Sequence, residues 1–503
     1  MLKKITLKGE QKKALFLPAT NPIQIKGGAG SGKTTVALYR AKHLLETQST
    51  LFKEAKVIIF TFNKTLAAYI KAVSPYINGG YNNTSDEITP QISDGLNVQV
   101  VNFHSWAYRF AGIEPNKTIM NRTQIEIISR IIHQMDSDTS NVLGKSPEFF
   151  QEEISWIKGK LFNDKKEYLD AKRIGRGTSD RITGKDKIVI WEVYNRYSAE
   201  LQNSGKVDFD DYAILCLNKI NNTLIFSPPF THIIIDEAQD LNKAQILTIS
   251  KIVDSETNSL SIIADAAQRI YKSGFVWSEV GINVRGGRTI EFKKNYRNTV
   301  HIANAALSLL SHEDDKSEFT EVKTALKGGS KPKVGYFNSS SEQLNWLNKE
   351  LHMLSSNNDI DGTVILHRTN TGVKDLNASL SELGYSTELV KSTSSVNYES
   401  NSIKICTMSS VKGLEFNNVF IMDLNDDVIP FPPGFISNED ELHISTERRL
   451  LYTCMTRARK SLYLLGSANP SRYLSEIRSN LLDDISSSES MSNIDTRFDD
   501  VPF

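Results

Sequence analysis

Two blocks of short Val- and Ile-rich runs, each alternating with helical patterns, predict an α/β protein with two parallel-sheet domains flanked by helices and a helical insertion in the first. Three observations carry this. The first block contains IQIKG (23–27), KVIIFTF (56–62), NVQVVNF (97–103), THIIIDE (231–237) and LSIIAD (260–265), apolar runs of the kind buried on both faces of a parallel sheet. The second contains TVILHR (363–368), IKICTM (403–408), NNVFIMD (417–423) and SLYLLG (461–466). Inside the first block, residues 105–225 follow a helical period and are richer in Trp, Tyr and Lys. The expected division is 1–104 and 226–290 for the first domain, 105–225 for the insertion, 291–470 for the second domain and 480–503 for a disordered acidic tail.

Composition narrows the class. The chain has 503 residues, 39% hydrophobic and 23% charged, as in soluble globular proteins of several domains. Lys and Arg balance Asp and Glu at 59 each, so any nucleic acid must be met by a local groove rather than by a basic whole. The three cysteines, Cys216, Cys406 and Cys454, form no C-x-x-C pair, which argues against a disulfide framework or a zinc ribbon. The first residues lack the apolar core of a signal peptide, and no run approaches a membrane span; a cytoplasmic location is expected.

The stretch GGAGSGKTT, comprising Gly27, Gly28, Ala29, Gly30, Ser31, Gly32, Lys33, Thr34 and Thr35, satisfies G-x-x-x-x-G-K-[ST] between a strand (23–27) and a helix (34–46). Its glycines let successive N–H groups aim at phosphates, at a helix N-terminus that favours anions. Lys33 adds a point charge for the β- and γ-phosphates, and the Thr34 hydroxyl is placed for Mg²⁺. The run IIIDEAQD (233–240) supplies a second part, in which Asp236 binds Mg²⁺ through water and Glu237 polarises an attacking water. A solvated acidic turn is the bland alternative for the latter. Phosphoryl transfer also needs cations on the γ-phosphate, and Arg297 in KKNYRNT and Arg457 in YTCMTRARK are the candidates.

Taken together, these segments resemble the superfamily 1 helicases of the UvrD/Rep type, over about residues 5–466 and in the family's motif order. The resemblance implies two RecA-like P-loop domains sharing one ATP with Mg²⁺. It begins at LKGEQKKAL, where Gln11 is similar to the adenine-reading glutamine. In ADAAQRIY, Gln268 is implied to sense the γ-phosphate. Tyr296 is implied to stack on the base and Arg297 to meet the γ-phosphate, Glu415 in SSVKGLEF to hold the ribose, and Arg457 to act as arginine finger. FTFNKTLA (60–67) and VNFHSWAYRF (101–110) are similar to strand-contacting segments. The candidates there are Phe62, Asn63, His104 and Trp106, with Tyr271 and Trp277 further on, each of which is equally readable as core. The function implied is ATP-dependent movement, 3′ to 5′, on single-stranded DNA, with RNA left open.

Three departures stand out. Ser273 occupies the place of a stacking aromatic, and Ser409 that of a usual histidine. Only a few dozen residues separate VILHRTN (364–370) from KICTMSS (404–410), where relatives carry a whole helical domain. A compact motor of this kind is expected to translocate well and unwind poorly alone. The competing expectation is an NTP-gated subunit that senses DNA for a partner, in repair or anti-phage defence. The basic stretch 158–187, with ten Lys/Arg against five Asp/Glu, reads either as a phosphate contact or as a solvated face. The terminal Asp499, Asp500, Val501, Pro502 and Phe503 resemble the tip of bacterial single-stranded-DNA-binding proteins, so a protein partner that recognises such a tip is expected; an acidic tail ending in Phe by chance is the alternative.

Overall fold

The computed structural model describes residues 7–49, 54–61, 98–136, 139–171, 182–265, 267, 277–313, 324–326, 328–390, 400–431, 441–467 and 469–486. The first sheet is built from β1 (Ile23–Gly27), β2 (Val57–Thr61), β3 (Val98–Asn102), β4 (His232–Ile235), β5 (Ser259–Ala264) and β6 (Thr289–Phe292). Their spatial order is β3-β2-β4-β5-β1-β6, with every pair parallel. Successive side chains of a strand point to opposite faces, and both faces are buried. Ile58, Phe60, Ile233, Ile235 and Ile262 enter one core; Val57, Ile59, Ile234, Ile263 and Ile25 enter the other. That two-sided burial is why these strands read as unbroken apolar runs.

The second sheet comprises β9 (Lys333–Tyr336), β10 (Thr363–His367), β11 (Thr387–Leu389), β12 (Ile403–Thr407), β13 (Phe416–Ile421), β14 (Ala458–Gly466) and β15 (Asp483–Asp484). They lie in the order β11-β12-β10-β13-β14-β9-β15, again all parallel. Between the sheets, β7 (Lys294–Thr299) pairs with β8 (Thr324–Leu326) in a ladder of its own. The architecture is thus the predicted pair of parallel-sheet domains flanked by helices. The first sheet runs on to Phe292, two residues beyond the expected limit, and β15 falls inside 480–503, the stretch expected to be disordered. Residues 487–503, including Asp499 to Phe503, lie outside the described residues.

Between β3 and β4 the chain is helical, over Phe103–Ala111, Asn121–His133, Pro147–Lys160, Lys165–Asp170, Gly184–Ser204 and Asp211–Asn222. Ser146 caps the third of these with Pro147 in its first turn, and Thr183 with Asp186 forms a capping box for the fifth. Phe150, Ile154, Ile157, Tyr168, Ile190 and Tyr197 make a separate core. A buried charge cluster closes it. Lys158 donates to Asp208 at 2.8 Å and lies 2.7 Å from Asp211, while the Tyr197 hydroxyl donates to Asp208 at 2.8 Å. Of the ten basic residues in 158–187, Lys158 therefore faces inward, and Lys187 donates to the carbonyls of Leu169 and Ala171. Lys158→Met is expected to lower stability by about 3–5 kcal/mol, because it leaves buried carboxylates without their cation. A urea titration followed by circular dichroism checks this.

Between β10 and β12 the described chain contains one helix, Asn370–Glu382, and β11, and the stretch is too short for a further helical domain. No helix among the described residues is long and apolar enough to cross a membrane.

Candidate nucleotide-binding cleft

Because all strands of the first sheet are parallel, its loops converge on one carboxyl edge. Gly27 ends β1 and leads through Gly28–Gly32 into the helix Lys33–Gln48. Gly30 and Gly32 adopt positive φ, 71° and 81°, a backbone region that disfavours side chains. Gly30 is also pressed against the second half of the molecule: a Cβ there would stand 2.1 Å from Asn295 Oδ1. Asn295 in turn accepts from the backbone of Arg297 (2.9 Å) and Asn298 (3.0 Å), and the Tyr296 N–H donates to the Gly30 carbonyl at 2.8 Å. The phosphate loop and the Arg297 segment are thus one joined unit. Gly30→Ala is expected to cost about 1–3 kcal/mol in strain and displaced contacts and to weaken nucleotide binding, as a thermal melt with and without nucleotide would show.

β4 delivers Asp236 beside the loop, where Thr34 Oγ1 donates to Asp236 Oδ2 at 2.7 Å. Burial, then the neighbouring charge of Glu237, pushes the Asp236 carboxyl up to about 7. Glu237 sits at φ 56°, in the left-handed backbone region, and is buried. Burial opposes its charge, but Lys412, Lys33 and Arg457 outweigh it and hold its carboxyl below the usual range. β5 ends beside Asp265, which accepts from Lys33 at 3.1 Å. The Lys33 ammonium also donates to the carbonyls of Gly27 (2.8 Å) and Gly28 (2.9 Å). Gln11, buried, accepts from Lys8 N–H at 3.0 Å and donates to the Ser31 carbonyl at 2.8 Å, which fixes its amide against the loop.

The second sheet meets this edge with its amino end. Glu415 directly precedes β13, and Arg457 directly precedes β14. Arg297 donates to Glu415 at 2.5 Å and to the Thr456 carbonyl at 3.4 Å. Glu415 keeps a side-chain exposure of 32%; against the cost of burial, Arg297 holds its carboxyl below the usual range. Arg457 is buried and donates to the Thr453 carbonyl at 2.9 Å. Burial, then the nearby Arg297, lowers its guanidinium to about 10, so it remains charged at neutral pH. Ala29 of the loop packs into the second half's core, in the same cluster as Tyr452. The two halves are therefore in contact at the phosphate loop.

The structure thus brings together Lys33, Thr34, Asp236, Glu237, Arg297, Arg457 and Glu415, with Gln11 and Tyr296 flanking the loop. These residues fit ATP with Mg²⁺. Thr34 and Asp236 already share a hydrogen bond at the position suited to the ion, and a Cβ would intrude on the cradle at Gly27, 2.5 Å from Ser31 Oγ. Bound there, Mg²⁺ would neutralise phosphate charge.

Residues 7–275 match the UvrD/REP helicase N-terminal domain, and 290–395 with 377–469 match the UvrD-like helicase C-terminal domain. The chain belongs to the UvrD/REP helicase family. It is similar to the ATP-dependent DNA helicase PcrA of Leuconostoc citreum, 24% identical over 385 residues, covering 71% of this chain and 46% of that protein. It is likewise similar to that of Staphylococcus epidermidis, 27% identical over 373 residues, covering 69% of this chain and 46% of that one. The chain spans about half the length of these curated relatives.

The strand-contacting candidates of this UvrD-type chain divide. Trp106 is buried, makes a T-shaped contact with Phe60 at 5.4 Å and stacks on Phe110 at 4.7 Å. Of its two readings, core or stacking platform, this packing favours core. His104 is half-buried in the first turn of Phe103–Ala111, beside Phe209 and 3.4 Å from Gln245 Nε2. Trp277 is half-buried and packs against the core that contains Val280 and Ile282. Phe62, Asn63, Gln268 and Tyr271 lie outside the described residues, as does Ser273. Sequence reasoning passed over Asp265, Asn295 and Lys412, although all three stand inside or beside quoted motifs. The signal for Asp265 was its place just after a strand of the parallel sheet, where ligands gather.

Proposed function

We propose that the chain is an ATP-dependent motor that advances along single-stranded DNA, in the 3′ to 5′ sense of its family resemblance. The observation that carries this reading is the cleft, with Lys33, Thr34, Asp236 and Glu237 on one half and Arg297 and Arg457 on the other. ATP contacts both halves at once and favours their approach; after hydrolysis that differential contact is lost and the halves separate. A single strand lying across both is gripped alternately. Lys33 and the loop N–H groups hold the phosphates, Glu237 orients the attacking water, and the two guanidiniums stabilise charge on the transferred group.

The test is stopped-flow translocation on oligothymidylates carrying a dye at either end. Arrival times that lengthen with oligonucleotide length for the 5′ dye only support directional motion, and length-independent signals at both ends contradict it. The short connection between β10 and β12 favours a second reading, a DNA-sensing ATPase subunit with little unwinding of its own. On that reading ATP turnover responds to single strands while tailed duplexes stay intact, and Asp499–Phe503 serves as a peptide ligand for a partner with a basic-rimmed apolar pocket.

A further inference from the structure

The loop between β12 and β13 does more than supply Glu415. Three residues earlier it sends Lys412 across the cleft, into the acids of the first half. The Lys412 ammonium donates to Asp240 and lies 3.8 Å from Glu237 Oε2, with side-chain exposures of 3%, 0% and 6% for the lysine, Asp240 and Glu237. Met408–Val411 form a tight turn ahead of it, and Gly413 follows at φ 84°, so the lysine sits between a turn and a left-handed glycine that aim it away from its own sheet. The contact does not stop at Glu237. Glu237 Oε2 accepts from Gln239 Nε2 at 2.5 Å, Gln239 Oε1 accepts from the Asp265 N–H at 3.0 Å, and Asp265 accepts from Lys33 at 3.1 Å. A continuous chain of polar contacts therefore runs from the second half to the phosphate-binding lysine.

We propose that Lys412 is a trans-cleft positioning residue, which, anchored on Asp240, fixes the Glu237 carboxylate only when the two halves meet and thereby ties water activation to cleft closure. This rests on the ATP-hydrolysis reading above. Arg297 and Arg457 are placed to answer to phosphate charge; Lys412 answers to the protein's own acids, so closure is registered on the water side of the reaction as well as on the phosphate side. When the halves part, Lys412 leaves with the second and Glu237 loses the ammonium that holds it. A carboxylate displaced by about 1 Å loses much of its catalytic effect.

The experiment compares wild type with Lys412→Met, Lys412→Gln and Lys412→Arg in steady-state ATP hydrolysis with saturating single-stranded DNA. Both neutral variants are expected to lower kcat by about 10- to 100-fold with KM for ATP within about threefold, and Lys412→Arg to restore most of the rate. A purely structural ion pair would not give that split or that rescue. A wild-type kcat in the neutral variants overturns the proposal, as does a loss that the arginine fails to restore. A double-mutant cycle of Lys412→Met with Asp240→Asn on nucleotide-loaded thermal unfolding reads the contact independently of turnover. Non-additive shifts are expected and additive ones overturn it. Absence of wild-type hydrolysis would instead count against the functional reading, with the cycle still judging the contact.

Discussion

Arg457→Ala is expected to lower DNA-stimulated ATP hydrolysis by about 10³-fold or more, with nucleotide binding changed only a few-fold. The guanidinium is buried at the amino end of β14, close to both Arg297 and Glu237. Two cations in one dry cleft repel each other, and that repulsion is relieved most when negative charge builds on a transferred phosphoryl group between them. The benefit is therefore concentrated in the transition state and shows in kcat. Lysine at this position is expected to recover little, since a single ammonium cannot reproduce the planar fork. Steady-state kinetics beside a fluorescent-nucleotide titration separates the two effects, and a melt of the variant verifies folding.

Lys33→Ala is expected to abolish measurable turnover, a loss of at least about 10²–10³-fold, and to destabilise the protein before any nucleotide is added. Lys33 is a buried ammonium with three partners: the Gly27 and Gly28 carbonyls and the nearly inaccessible carboxylate of Asp265. Taking the cation away from a buried pair costs about 3–5 kcal/mol, because the remaining charge keeps its desolvation penalty. The double variant Lys33→Ala/Asp265→Asn is therefore expected to regain much of the lost stability and none of the activity. Chemical denaturation of the three proteins checks it: equal midpoints for wild type and Lys33→Ala would show that the pair contributes nothing to the fold.

Much of this was legible in the sequence, for physical reasons that also mark where legibility ends. β1, β2, β4, β5, β10, β12 and β13 are covered on both faces, so their apolar content is dense enough to read. β7 and β15 are polar in composition, and nothing in KNYRNT or Asp483–Asp484 distinguishes a strand from a loop. Lys33, Thr34 and Asp236 were readable because chemistry demands those residue types at those spacings. Lys412 was not, because its partners Asp240 and Glu237 lie far away in the chain and only the meeting of two sheets brings them together. Trp106 shows the converse limit. An aromatic beside a strand-contacting motif carries no sign of which way it faces, and here it packs against Phe60 and Phe110.

On the proposed reading, ATP turnover in the cleft is coupled to a nucleic-acid strand spanning both halves. That coupling is tested most directly by measuring ATP hydrolysis by the wild-type chain with and without single-stranded DNA, with the same oligonucleotide as RNA alongside. The expected result is a low basal rate raised at least about tenfold by DNA, a stimulation that salt weakens as phosphate contacts are screened. A rate that DNA leaves unchanged at every salt concentration would contradict it.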